Sequence, residues 1–204
     1  MKNQSKVQLS SFETELVNNA EWILTKNGII EKVKQLLTGL QEDQKEYLHS
    51  LSNHFPKEIL KPSAKISKGE NYKGLPYLVL DFPRCFDHKN IFAVRTMFWW
   101  GNFFSVTLQL AGDYKIMFEN KIISSYEILK QKEFFICVHE KQWEHHFESS
   151  NYIQISNCNK DDFVDIIKTN SFIKLANKTS LSQWNDVQAI LLQQFKLLIE
   201  TILF

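Results

Sequence analysis

Apolar residues recur at helical spacing over the first third of the chain and at strand spacing from Leu75 onward. Ser10 with Glu13 three residues later is a capping-box pattern, and Phe12, Leu16, Ala20 and Ile23 follow on one helical stripe. Asn27-Gly28 predicts a helix stop. A second helical segment, 29–37, carries Ile30, Val33 and Leu37 on one side. Thr38-Gly39 is expected to interrupt it before a third segment from about Leu40 to Ser52, with Tyr47, Leu48 and Leu51 apolar. Pro56 and Pro62 then break the helical period, and residues 61–74, poor in apolar side chains, read as an exposed connection.

Residues 76–82 read as a near-continuous apolar strand, ended by Asp81-Phe82-Pro83-Arg84, where proline stops the ladder. Residues 91–111 form a long β-hairpin pattern around Gly101-Asn102. A two-residue loop there pairs Trp100 with Phe103 and Arg95 with Leu108. Arg95 would then share a face with Ile91, Ala93, Met97, Trp99, Phe104, Val106, Leu108 and Leu110. A three-residue loop would instead move Arg95 toward Ser105, Thr107 and Gln109. Further along, a helix is expected over about 120–131, and strands over 134–138 and 152–156. Asp161 is the expected cap of a short helix holding Phe163, Ile166 and Ile167. Ser180 with Gln183 opens the last helix, whose stripe is Trp184, Val187, Leu191, Phe195, Leu198 and Ile202.

This order predicts an α+β fold: an antiparallel β-sheet built on a long central hairpin (about 91–111), with the N-terminal helical region and a long C-terminal helix packed on the sheet. Without an internal repeat or a change of composition, residues 1–204 read as a single α+β domain. A separate helical subdomain over 1–60 is the alternative.

Composition narrows the classes. The chain is 44% hydrophobic and 23% charged, ordinary values for a globular protein. A formal charge of +1 gives no general attraction to nucleic acid or to an anionic membrane. No run approaches the roughly 18 apolar residues of a membrane span, and MKNQSKVQLS lacks an apolar leader core. Cys85, Cys137 and Cys158, odd in number and widely spaced, fit reduced thiols of a cytoplasmic protein. Abundant Lys, Asn, Ile and Phe point to an AT-rich coding sequence of bacterial type.

Of 24 basic residues only Arg84 and Arg95 are arginine. A guanidinium keeps its charge, so placing Arg95 on an apolar face demands a carboxylate or an anionic ligand. Asp81, at the end of the preceding strand, is the first candidate partner and Asp87 the next, which would make a structural ion pair. In the functional reading Arg95 and Arg84 clamp a carboxylate or phosphate, with Trp99, Trp100 and Tyr77 as pocket walls. Alternation sends Trp99 and Trp100 to opposite faces, so one ring is either covered by its own chain or offered to a second copy as a homo-oligomer contact.

The only metal-like run is Cys137 to His146, CVHEKQWEHH. It matches neither HExxH nor HxxEH, but His139, Glu144, His145 and His146 are candidate ligands, and Cys137 with His139 a candidate nucleophile pair. The six glycines form no phosphate-binding loop, no GxSxG elbow exists, and no cofactor is expected. Lys57, Lys61, Lys65, Lys68 and Lys73 are interrupted by Glu58 and Glu70, a poor nucleic-acid footprint. The leading expectation is a non-catalytic binding or self-association protein using the aromatic surface around the hairpin. An anionic small-molecule-binding domain or enzyme centred on Arg95 comes next, and a metal-dependent hydrolase built on 139–146 third.

Overall fold

The computed structural model describes residues 7–87 and 89–204. The leader reading of MKNQSKVQLS falls partly on residues 1–6, outside the described residues. Helices α1 (Ser11–Asn18), α2 (Ala20–Ser50) and α3 (Lys57–Leu60) precede strands β1 (Lys65–Tyr72), β2 (Leu75–Phe86), β3 (Ile91–Trp99) and β4 (Phe103–Ala111). Then come α4 (Asp113–Ser124), α5 (Tyr126–Gln131), β5 (Phe135–Cys137), β6 (Tyr152–Gln154), α6 (Lys160–Thr169), β7 (Phe172–Ser180) and α7 (Val187–Leu203). The strands form one antiparallel sheet in the order β1-β2-β3-β4-β7-β5-β6. The fold is α+β, with the sheet built on the β3–β4 hairpin and the C-terminal helix packed against it. No helix among the described residues is long and apolar enough to cross a membrane.

The sheet has two unlike faces. Leu78, Leu80, Val94, Phe98, Phe104, Val106 and Leu108 point to one, where Val33, Leu37 and Leu40 of α2 and Leu191, Phe195 and Leu198 of α7 cover them. The other face carries Asp81, Arg95, Thr107, Gln109 and Lys174, and only a loop crosses it.

Several expectations are corrected. Neither Asn27-Gly28 nor Thr38-Gly39 stops a helix; α2 runs through both for 31 residues, about 46 Å. Its buried positions Ile30, Val33, Leu37, Leu40, Gln44 and Leu48 stay in phase across Gly39, and their burial outweighs roughly 1 kcal/mol per glycine. The real break comes earlier, at Asn19, whose extended backbone caps α2 through Trp22 N–H. Residues 65–72, expected as a loop, form the edge strand β1, polar because one side stays wet. Strand β2 does not end at Pro83. It resumes as far as Phe86 after an irregularity between Asp81 and Arg84. The helix expected at 120–131 is two helices, α4 and α5, Asn159 rather than Asp161 caps α6, and Ser180 caps a 3-10 turn ahead of α7.

The two-residue hairpin loop is also corrected. Trp99 pairs with Phe103, so the loop is Trp100-Gly101-Asn102, closed by Asn102 N–H donating to Trp99 O at 3.0 Å. Gly101 takes φ +70°, a positive φ at the third position of the Trp99–Asn102 turn, where glycine is favoured. Arg95 therefore pairs with Thr107, not Leu108, and stands on the polar face with Ser105 and Gln109. Strand β7 was not foreseen at all, although it lies in the middle of the sheet.

Candidate functional site

Three strands, β1, β2 and β3, and one loop build a cleft of about 460 Å³ on the open face. Its centre is Arg95. Register places Asp81 directly across on β2, and the carboxylate grips the fork in two bonds, Nε to Oδ1 at 2.7 Å and Nη2 to Oδ2 at 2.9 Å. Nη1 donates to His145 Nε2 at 3.0 Å. Since a guanidinium has no acceptor, His145 Nε2 is the acceptor and the imidazole is neutral, with its proton on Nδ1. Burial, reinforced by the charges of Arg95, Lys174 and His146, holds its pKa well below the ordinary 6.5. Arg95 thus spends three of five N–H groups and keeps one hydrogen on Nη1 and one on Nη2 for whatever fills the cleft.

Arg84 reaches the same cleft because of the irregularity in β2. Residues 81 and 84 would normally face opposite sides; the shifted register between them resets the alternation, and both line the cavity. Arg84 Nε donates to Ser63 O at 2.8 Å, and its two Nη groups make no bond among the described residues. Lys65 from β1 is the third cation, and Asp81 the only carboxylate in the lining among the described residues. The lining is therefore cationic, with two positive charges in excess. Val79 and Met97 form an apolar floor, Tyr72 and Tyr77 one wall, and Phe86 with Trp143 the rim, their ring centroids 6.4 Å apart. Gly69 permits the Tyr77 wall, because a Cβ at 69 would fall inside that ring.

The loop 138–151, between β5 and β6, straps the open face. Tyr72 Oη accepts from His145 N–H at 2.7 Å and from His146 N–H at 3.0 Å, and donates to Glu144 Oε2 at 3.2 Å. Lys174 Nζ donates to Glu144 O, Gln109 meets Gln142, and Lys73 pairs with Glu148 at 2.7 Å. Behind the strap lie Cys137, Tyr152 and the fully buried Lys174.

The structure thus brings Arg95, Arg84, Asp81 and Tyr77 together in one cleft. Asp87 is not the partner; it folds back onto Lys89 N–H and Asn90 N–H. Trp99 backs the site, its Nε1–H donating to Tyr72 O, without lining the cleft. Trp100 lies toward the helical side, against Phe98 and half-buried by its own chain. The four candidate metal ligands diverge: His145 turns to Arg95, His139 Nδ1 accepts from Lys141 N–H, and His146 lies 3.8 Å from Glu144 and 3.6 Å from Glu148. Among the described residues no three His, Cys, Asp or Glu side chains converge on a metal position. The Cys137 thiol meets the carbonyl of His139 and Asn151 Oδ1 rather than an imidazole, and burial pushes its pKa up.

Sequence reading missed Tyr72, Lys65, Phe86 and the part played by His145. Tyr72 and Lys65 sat in the stretch taken for a loop, and His145 in a run that resembles a metal motif. No protein-family model, curated protein or solved structure matches the chain.

Proposed function

We propose that the chain binds a small organic anion in the cleft of the open sheet face. Arg95 and Arg84 hold its carboxylate or phosphate, and Tyr72, Tyr77, Phe86 and Trp143 enclose its body. One observation carries this reading: two guanidinium groups with uncommitted N–H donors, and Lys65, line a 460 Å³ cleft whose described lining contains a single carboxylate. The Asp81 pair and His145 hold the Arg95 fork rigid, so little side-chain entropy is lost when an anion docks. The volume is within the range of small-molecule sites. The free thiols of Cys85, Cys137 and Cys158 support a reducing, cytoplasmic setting.

Calorimetry with phenyl phosphate and with benzoate tests it. Saturable binding of at least one probe is expected, together with a rise in Tm. Arg84→Gln should weaken binding by about tenfold or more, the worth of a charge-assisted hydrogen bond, while leaving the unfolding midpoint nearly unchanged. No saturable heat at millimolar probe, or equal affinity in Arg84→Gln and Arg95→Lys, would sink the proposal.

A further inference from the structure

The cations of the cleft are grouped around one point. Pairing sets Lys65 of β1 opposite Asp81 of β2, and Asp81 opposite Arg95 of β3, so the three stand in a row across the strands. Arg84 pairs with Ala93, two residues before Arg95, which makes the two arginines diagonal neighbours with backbones about 7–8 Å apart. Over that span both forks can reach a single anionic head group. The charge around it is fixed near neutral pH. A guanidinium does not deprotonate, both Asp81 oxygens accept from Arg95, and His145 is neutral because its Nε2 accepts from the same fork. Lys65, exposed at the mouth, forms no ion pair among the described residues. A ligand with one negative charge would leave one of these cations without a counter-charge, whereas a dianion cancels the excess. A phosphate monoester carries about two charges on one head of three acceptor oxygens. Carboxylates, sulfate esters and phosphodiesters carry one charge per head.

The rest of the lining selects the body. Away from the cations it is Val79, Met97 and aromatic rings, and the Tyr72 hydroxyl is already spent on the strap. The described lining contains no amide side chain, and Asp81 is occupied by Arg95, so a hydroxyl-rich body would press its donors against an apolar floor without acceptors. Flat rings, by contrast, pack well against Tyr77, Phe86 and Trp143. Resting on the anion-binding reading above, we infer that the ligand is a phosphate monoester, held as its dianion, of a flat body with few hydroxyl groups.

Calorimetry at pH 7.5 and low salt tests this with phenyl phosphate against phenyl sulfate, its singly charged counterpart of the same shape, and against benzoate, phthalate and glucose 6-phosphate. Phenyl phosphate should bind at least tenfold more tightly than each of the others. Lys65→Met, at an exposed position of the edge strand, should weaken phenyl phosphate about fivefold and phenyl sulfate about twofold, because the coulombic loss scales with ligand charge. A purely structural effect would weaken both alike. A margin below tenfold over phenyl sulfate or benzoate, or equal losses in Lys65→Met, would overturn the dianion and leave an anion site that reads one charge. A margin below tenfold over phthalate would replace the single head by two carboxylates, and one below tenfold over glucose 6-phosphate would refute the hydroxyl-poor body. Silence from every probe would remove the anion-binding reading itself, and this inference with it.

Discussion

Arg95 shows how one residue is both structural and available. Its side chain is 21% exposed and that of Asp81 10%, so their attraction is little screened, yet one edge of the fork still meets the cleft. Asp81→Asn keeps the shape and removes the counter-charge, and should lower stability by about 2–3 kcal/mol in urea unfolding, below the usual cost of breaking a fully buried pair. Lys174 presents the opposite case. It is fully buried, and desolvation lowers its pKa from 10.5 to about 8, its companions being Glu144 O and the ring of Tyr152 at 5.2 Å. Between pH 8 and 10.5 the unfolded chain retains a proton the folded chain has released, so stability should rise with pH across that window. Below pH 8 both states are charged and the fold carries the full desolvation cost. Lys174→Met should therefore raise stability at pH 7 by roughly 1–4 kcal/mol and flatten the alkaline rise. A variant less stable at pH 7 would mean that the contacts of the ammonium outweigh its desolvation, and an alkaline rise that survives in the variant would assign that rise to other groups.

Among the elements, the strap 138–151 depends most on a single side chain, because the Tyr72 hydroxyl satisfies two of its backbone donors. Tyr72→Phe leaves both N–H groups without that acceptor, at about 1–3 kcal/mol. Hydrogen exchange at residues 145 and 146 should quicken. His145, freed from Arg95 and rehydrated, should titrate closer to 6.5 by NMR; an unmoved His145 resonance would show the strap is held elsewhere. In the wild type, the depressed His145 pKa means that the unfolded chain takes up a proton below about pH 6.5 that the folded chain refuses, so stability falls as the solution is acidified through that value. Local physics decided how legible these elements were. The β3–β4 hairpin was plain because its aromatic and β-branched runs are long, but a loop longer by one residue reversed the facing of the two strands, which alternation alone does not determine. Strand β7 escaped notice because its open-face positions include Lys174 and Lys178, charges that a buried central strand rarely holds. Arg84 and Asp81 were suspected together, yet only the shift of register in β2 puts them on one side.

For the whole molecule, the α+β order was readable because helical and strand periods occupy separate parts of the chain. Which apolar stripes are interior was not. The stripe Phe12, Leu16, Ala20, Ile23 has the same 3.6-residue spacing as the stripe that α2 buries from Ile30 onward, and periodicity carries no label for what covers it. The kink at Asn19 and the reach of α2 decide the matter: the sheet lies under the second half of the helix, leaving the first turns and all of α1 without a floor. The helices over the core face should therefore carry stability that α1 does not. Deleting residues 1–18 removes α1, which buries nothing, so the shortened chain should fold with the same circular-dichroism signature. Its Tm should match that of the full-length protein within about 2 °C in calorimetric scans, since the loss of exposed residues changes stability by about 0.5 kcal/mol or less. A shortened chain that unfolds many degrees lower would make α1 part of the cooperative fold.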